Sequence, residues 1–142
     1  MRNILSTLVI LLVTVSTLSA QSVLGKWKTV DDKTGKAKSI VEIYETEGKI
    51  YGKIVKLINP VKEEPLCDRC EGADKDKPIL GMVIIRGLKK DGDEYNGGEV
   101  LNPINGTLYK CYIELEEANK LKVRGYLGFS LFGRTQQWLR AE

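Results

Sequence analysis

The sequence TLYKCYIELEEANKLKVRGYL, from Thr107 to Leu127, alternates apolar and charged side chains on both sides of an Asn119-Lys120 turn. Side chains two positions apart lie on one face of a β-strand, so the alternation predicts two strands that each bury one face. Asparagine tolerates the positive φ of a tight turn, and the strands are therefore predicted to pair as a hairpin. The predicted inward residues are Tyr109, Cys111, Ile113, Leu115, Leu121, Val123, Gly125 and Leu127, and the predicted outward residues are Lys110, Glu114, Lys122 and Arg124.

The same pattern continues along the chain in both directions. Short runs rich in β-branched and aromatic residues recur between Gly, Asn and Asp turns, and no long run after residue 20 has apolar positions at helical spacing. About eight meandering strands tend to close into an up-and-down barrel, because closure removes unpaired edges. We therefore expect an all-β fold, a single antiparallel β-barrel domain over residues 21–142. The predicted strands are Leu24–Val30, Ser39–Glu45, Lys49–Ile58, Ile79–Leu88, Tyr95–Leu101, Thr107–Leu115, Lys120–Leu127 and Arg134–Arg140.

Residues 1–20 have the three parts of a secretory signal peptide. A cationic start at Arg2 precedes an apolar run over Ile4–Val15 and a Ser/Thr-rich exit that ends at Ala20. The alternative is a membrane anchor, but the apolar run is shorter than the roughly 20 residues that span a bilayer. We expect the segment to be removed and the protein to be exported, either to a periplasm or to the medium, with no membrane span in the mature chain.

The composition excludes several classes of chemistry. The chain contains no histidine, which rules out Ser-His and Cys-His nucleophilic pairs, histidine-ligated zinc and imidazole proton shuttles. Of the 22 basic side chains Arg2 alone lies in the predicted leader, so 21 remain against 19 acidic ones, and the two signs are interspersed. No basic stripe with interleaved aromatic residues indicates a nucleic-acid partner. The sequence predicts no catalytic residue, cofactor or metal site.

Two of the three cysteines stand close together in the one long predicted loop, Asn59–Lys77. In an oxidising compartment Cys67 and Cys70 are expected to form a disulfide that shapes this loop. The alternatives are a redox-active dithiol, which would require a helix after the pair, and a metal site, which would require a fourth ligand. Cys111 lies on an inward strand face and is predicted to be a buried, unreactive thiol.

Two segments carry more apolar surface than the barrel interior requires. The predicted strand through Ile79–Ile85 is apolar on both faces, so its outer face would need a cover, either the Asn59–Lys77 loop or a second subunit. The segment Gly128–Gly133 links the last two predicted strands and contains Phe129, Leu131 and Phe132. It is interpreted as a ligand gate or a partner contact, or alternatively as a cap that folds inward.

The first and last predicted strands become neighbours when the meander closes. A guanidinium from Arg140 or Arg124 can then stack on Trp27 and seal one end of the barrel. The alternative is functional, since arginine forks suit carboxylate and phosphate groups and the same side chains would grip an anionic ligand. The candidate ligand-binding residues are Trp27, Tyr51, Arg124, Arg134, Trp138 and Arg140.

An ordered series of short motifs runs through nearly all of the predicted mature chain. The motifs are Gly25-x-Trp27, Asp32-Lys33-Thr34-Gly35, Gly48-Lys49-x-Tyr51-Gly52-x-Ile54, Cys67-x-x-Cys70, Lys77-Pro78-x-x-Gly81, Gly97-Gly98-x-x-x-Asn102-Pro103, Gly106-x-x-Tyr109, Arg124-Gly125-Tyr126-x-Gly128 and Gly133-Arg134-Thr135-Gln136-x-Trp138-x-Arg140. Together they resemble the bacterial domain-of-unknown-function family 2147, which implies an exported protein with a lipocalin-like barrel and no established activity. No catalytic residue is carried over. Asn102-Pro103 stands where the family pattern leads us to expect Asp-Pro, and Cys111 lies outside the pattern.

Two functions follow as hypotheses. The first is an exported binding protein whose barrel mouth accepts a small amphipathic or anionic molecule, with an arginine near the rim. The second is a module that binds another protein through the Asn59–Lys77 loop and the two-faced apolar strand, which predicts a solid barrel with no small-molecule ligand. An enzyme is the least favoured class, because the missing histidine leaves only Lys, Tyr and acidic side chains for catalysis.

Overall fold

The computed structural model describes residues 22–129 and 131–141 and shows a closed, eight-stranded antiparallel barrel. Each strand pairs with its neighbours in sequence, and β8 pairs with β1 to close the barrel. The predicted fold class is confirmed. The strands are β1 Gly25–Val30, β2 Ala37–Thr46, β3 Lys49–Leu57, β4 Val83–Asp91, β5 Glu94–Leu101, β6 Leu108–Glu117, β7 Lys120–Tyr126 and β8 Gly133–Arg140, and the described helix is a single 3₁₀ turn, Gly72–Asp74.

The two ends of the barrel differ because the connections alternate between short and long. Three connections at one end have two residues each, Glu47-Gly48, Gly92-Asp93 and Ala118-Asn119. Glu47, Gly48 and Gly92 have positive φ values of 53°, 77° and 62°, as tight hairpins require. We call this the closed end. The opposite end, the mouth, carries the four longer connections, residues 31–36, 58–82, 102–107 and 127–132.

The inward alternation packs the closed half of the barrel with apolar side chains. Trp27, Ile85 and Ile113 are fully buried there, and Cys111 is 1% exposed. Burial raises the pKa of the Cys111 thiol from its ordinary 9.0 to about 12, because the low-dielectric interior disfavours the thiolate. Cys111 is therefore the buried thiol that its strand position predicts.

The predicted strand Ile79–Leu88 is wrong at its start. The observed β4 begins at Val83 and continues to Asp91, and the residues before it form a turn in which Gly81 has a φ of 89°. Ile84 and Ile85 are both buried, because the β3–β4 pairing shifts register. The apolar stretch Ile79–Ile85 is therefore part turn and part strand. It does not form one long strand with an apolar outer face that a second subunit would cover.

The long β3–β4 connection is fastened to the barrel at several points. Cys67 and Cys70 form the predicted disulfide, with Cα atoms 5.3 Å apart. Arg86 of β4 donates through both terminal guanidinium nitrogens to the Asp74 carboxylate at 3.1 and 3.0 Å. Gly106 lies so close that a Cβ there would collide with the carbonyl oxygen of Arg69. The connection therefore forms one fixed wall of the mouth. No helix in the described residues is long and apolar enough to cross a membrane.

Candidate functional site

A cavity of about 900 Å³ opens at the mouth of the barrel. Its floor lies where inward side chains of β3, β4, β7 and β8 meet above the packed half of the interior. The closed-end core does not extend to the mouth, since small residues such as Gly125 occupy inward positions there. The apolar lining consists of Ile54, Leu57, Ile58, Val61, Ile79, Ile84, Val100, Leu101, Ile104, Val123, Leu127, Phe132 and Trp138.

A chain of hydrogen bonds runs from the cavity floor to its rim along β8. The Trp138 Nε1–H donates to Gln136 Oε1 at 2.8 Å, and Gln136 Nε2 donates to Asp32 Oδ1 at 2.6 Å. Arg134 then forms an ion pair with the second Asp32 oxygen at 3.3 Å. The chain holds the indole ring at the floor and fixes the acid at the rim, so these polar groups are satisfied without a ligand.

The charged groups at the rim differ in the hydrogen bonds and ion pairs that they form within the protein. Asp31 accepts hydrogen bonds from the backbone amides of Lys33 and Thr34, both at 2.9 Å. The hydrogen bonds from these two amides, Thr34 first, are the main reason that the pKa of the Asp31 carboxyl is lowered. Lys38 and Lys62 also line the cavity, and neither forms an ion pair within the described part of the chain. The charge of Lys38 also contributes to the lowered pKa of Asp31, so Lys62 is the less engaged of these two lysines.

The remaining interior polar groups near the cavity pair with one another. Thr29 and Ser39, both buried, share a hydrogen bond of 2.5 Å between their hydroxyls. Among the described residues, no buried side-chain nitrogen or oxygen lacks a hydrogen-bond partner. The deep part of the cavity therefore favours apolar groups, since a polar group there would meet few open donors or acceptors.

Trp27 and Arg140 lie away from the cavity, at the closed end. The Arg140 guanidinium stacks 4.2 Å from the centre of the Trp27 ring. It also donates to the carbonyl oxygens of Ala118, Leu24 and Ser22 at 2.9, 3.0 and 2.7 Å. This geometry is the predicted seal at one end of the barrel, and it leaves neither residue within reach of a ligand in the mouth.

The other candidate residues separate into two groups. Arg134 and Trp138 line the mouth cavity together. Tyr51 lies on the outer surface, with its ring centre 5.9 Å from that of Tyr44. Arg124 lies on the outer surface of β7, where it donates to the Thr135 hydroxyl at 2.8 Å. The six candidate residues therefore do not form one site, since the barrel distributes them between its closed end, its mouth and its outer surface.

Several cavity residues escaped sequence analysis. Gln136 falls between Arg134 and Trp138 in the inward alternation of β8, so the same period-two pattern could have found it. Asp32 stands in the sequence only as part of the Asp32-Lys33-Thr34-Gly35 motif, and its partnership across the β1–β8 seam depends on barrel closure. Lys38 lies at the start of β2, one residue before the predicted strand begins, and Lys62 lies in the long β3–β4 connection, whose path the sequence did not specify. No group of three or more acidic or cysteine side chains in the described residues is arranged to hold a metal ion.

A closed eight-stranded barrel with an open cavity at one end defines a lipocalin-like protein. The family model described as "Uncharacterized protein conserved in bacteria (DUF2147)" matches residues 25–140, and the chain belongs to this family. A similar solved structure is described as "Protein HP1028 from the human pathogen Helicobacter pylori belongs to the lipocalin family". The two chains share 20% identity with a TM-score of 0.74, over 85% of this chain and 84% of the other. This likeness concerns the fold alone. No curated protein matches the chain.

Proposed function

We propose that the protein is an exported binding protein whose mouth cavity holds a small amphipathic molecule with an anionic group. The observation that carries the proposal is the cavity itself. Its volume of about 900 Å³ lies in the range of pockets that enclose a small molecule, roughly 300–1,000 Å³. A barrel that only supports contacts with other proteins is expected to have a filled interior.

The lining supports an amphipathic ligand. The floor consists of Ile54, Ile84, Val123 and the face of Trp138. Burial of apolar surface against these side chains would contribute about 25 cal/mol per Å². The hydrogen-bonding groups nearby already have partners, so an apolar chain can enter without leaving a polar group unsatisfied.

The rim supports an anionic group on that ligand. Lys38, Lys62 and Arg134 line the cavity, and the acidic residues beside them are Asp31 and Asp32. Both acids are engaged by protein donors, as described above. Arg134 pairs with Asp32 and the charge of Lys38 acts on Asp31, but three cations face two acids there. The rim therefore keeps a net positive charge that would attract a ligand carboxylate or phosphate, and partial burial would strengthen the attraction.

Two features support export. The disulfide between Cys67 and Cys70 is typical of proteins that mature in oxidising compartments. The signal peptide predicted over residues 1–20 lies outside the described residues, so it stands as a proposal from the sequence. The cavity counts against the alternative of a protein-binding module, because that hypothesis requires a solid barrel.

The test is native mass spectrometry of the protein purified from its producing cells, followed by titration with a fluorescent long-chain fatty acid. We expect saturable binding at one site. Val100→Trp should reduce the affinity at least about tenfold, since the larger ring occupies cavity volume where the apolar chain would lie. The matched control is Tyr51→Trp, which enlarges an outer-surface side chain and should leave the affinity unchanged. If both variants bind like the unmodified protein, the ligand does not enter the mouth.

A further inference from the structure

Exposed apolar side chains are concentrated at the mouth. In the described part of the chain, the large apolar residues that are exposed all lie in mouth loops or mouth-end strand termini, except Leu24 and Leu139. Four belong to the β7–β8 connection, and we call these four the apolar tip. They are Leu127, Phe129, Leu131 and Phe132, which are 52%, 77%, 86% and 69% exposed.

Aromatic and basic residues lie directly below the apolar tip on the outer surface. Tyr126 ends β7, and its ring centre is 6.4 Å from that of Tyr112. Lys110 pairs with Tyr126 across the β6–β7 ladder, and Arg124 pairs with Tyr112. Lys122 places its ammonium 5.5 Å from the centre of the Tyr112 ring. The apolar tip is therefore followed by two outer rows that each hold a tyrosine and a cation. A bilayer likewise passes from hydrocarbon to an interface that favours tyrosine and to anionic headgroups that favour cations.

The spacing of these layers fits a bilayer surface. Each strand residue advances about 3.3 Å, so Arg124 lies about 7 Å from Tyr126 along β7. The headgroup layer on one side of a bilayer is about 6 Å thick. When the apolar tip enters the hydrocarbon, Tyr126 and its cross-strand partner Lys110 therefore lie at the boundary, and Arg124 lies one row further out with Tyr112. The long side chains of Lys110 and Arg124 both reach the phosphates from these rows.

The charges also favour one corner of the barrel. The connections at the mouth follow one another around the rim, so the β3–β4 connection with Glu63 and Glu64 lies opposite the β7–β8 connection. On the outer faces of β6 and β7, Lys110, Lys122 and Arg124 outnumber the acids that pair with them, Glu99 and Glu114. An anionic surface would therefore attract this corner and repel the acidic one. Leu127 and Phe132 of the tip also line the cavity, so the docked barrel would open its mouth toward the lipid.

We propose that the β7–β8 corner docks on the surface of a lipid bilayer that carries anionic headgroups. The apolar tip inserts into the edge of the hydrocarbon, and the cations on β6 and β7 contact the lipid phosphates. Docking goes beyond cavity binding and does not depend on it, since the surface is complete whether or not the cavity takes a ligand. An amphipathic ligand could then pass between bilayer and cavity without crossing water.

The experiment is sedimentation with vesicles of phosphatidylcholine and phosphatidylglycerol. All variants are purified in the same processed form, so that any contribution of the leader is equal. The unmodified protein should sediment with these vesicles, less so at high salt. The triple variant Phe129→Ser, Leu131→Ser and Phe132→Ser should bind at least about tenfold more weakly, because each lost side chain removes buried apolar area. Lys110→Gln should weaken binding about fivefold.

Two controls separate docking from other effects. Leu139→Ser removes an exposed leucine at the closed end and should not change vesicle binding. Val100→Trp obstructs the cavity and should also leave docking intact, so the two proposals can fail independently. In Phe129→Trp, the emission of the new indole should shift to shorter wavelength on vesicle addition, while Trp27 and Trp138 are already buried.

Either of two results would overturn the proposal. One is equal sedimentation of the unmodified protein and the triple variant. The other is self-association without vesicles that the triple variant abolishes, which would identify the tip as a contact between protein molecules.

Discussion

Arg140 is the residue on which the closed end depends most. Its guanidinium covers the Trp27 ring and satisfies three carbonyl oxygens from the amino-terminal segment and the β6–β7 turn. An exposed surface arginine would contribute almost nothing to stability. Here the planar guanidinium covers the end of the core and links β8 by hydrogen bonds to the amino-terminal segment and to the β6–β7 turn. Lysine cannot replace it, because lysine has neither a flat face nor a fork of donors.

Arg140→Ala should therefore lower the free energy of unfolding by about 2 kcal/mol, from the lost stacking and the unpaired carbonyls. Arg140→Lys should recover less than half of this loss. Arg124→Ala is the control on the outer surface and should change stability by no more than about 0.5 kcal/mol. Urea denaturation measures all three. Fatty-acid affinity should be unaffected by Arg140→Ala, and a large loss of affinity in a folded variant would mean that the ligand reaches the closed end.

Cys111 predicts a pH dependence of stability. Its pKa is raised by burial from 9.0 to about 12, so the folded protein keeps its thiol proton at a pH where the unfolded chain has lost it. The stability that this group contributes is complete below pH 9 and is lost as the pH rises from about 9 to about 12. Cys111→Ala should flatten this part of the stability profile measured by urea denaturation between pH 7 and pH 11. An identical decline in both proteins would assign the effect to other groups.

The same burial predicts that iodoacetamide does not modify Cys111 in the native protein at pH 8 and modifies it quickly in denaturant. Mass spectrometry of the intact chain distinguishes the two. Rapid native modification would contradict the burial of this thiol.

At the scale of strands and loops, Gly106 of the β5–β6 connection packs directly against the backbone of the disulfide-bonded loop. A Cβ at Gly106 would collide with the backbone of Arg69 and Cys70, and the φ of Gly106 is 74°. Gly48 has a similar φ of 77° but open space around it. The two glycines therefore separate the cost of an unfavourable φ from the cost of a collision.

Gly48→Ala should destabilise the protein by about 1 kcal/mol, from φ alone. Gly106→Ala should cost at least about 1 kcal/mol more and should displace the loop, because backbone atoms cannot move aside as a flexible side chain does. Urea denaturation gives the energies, and limited proteolysis within residues 59–77 reports loop displacement. Equal losses in the two variants, with no change in proteolysis, would show that the loop does not rest on Gly106.

The elements also show why some parts of the fold were predictable and others were not. β6 and β7 alternate apolar and charged residues, so their existence, pairing and inward faces follow from the sequence. The start of β4 does not, because Ile79 to Ile85 is uniformly apolar and its turn depends on Gly81 and on packing against distant residues. The sequence led us to expect a ligand site at the barrel mouth but not the residues that line it. The hydrogen bonds through Gln136 and Asp32 join residues far apart in the sequence, and one wall of the cavity depends on the path of the long β3–β4 connection.

At the scale of the whole molecule, the two tryptophans lie in different halves of the barrel. Trp27 is fully buried under Arg140 at the closed end, and its Nε1–H donates to the Val23 carbonyl at 2.9 Å. Trp138 lies at the cavity floor and bonds to Gln136. The closed half supplies the packed core and the open half supplies the cavity. We therefore expect substitutions at the mouth to change the cavity without unfolding the barrel.

Fluorescence quenching with a fatty acid brominated near the end of its acyl chain would show whether the apolar part of an amphipathic anion lies on the cavity floor. Trp27→Phe leaves Trp138 as the only tryptophan, and Trp138→Phe leaves Trp27, with circular dichroism to verify that both variants fold. We expect saturable quenching of Trp138 at one ligand per protein, and little quenching of Trp27. Equal quenching of both tryptophans, or no saturable quenching of Trp138, would contradict it.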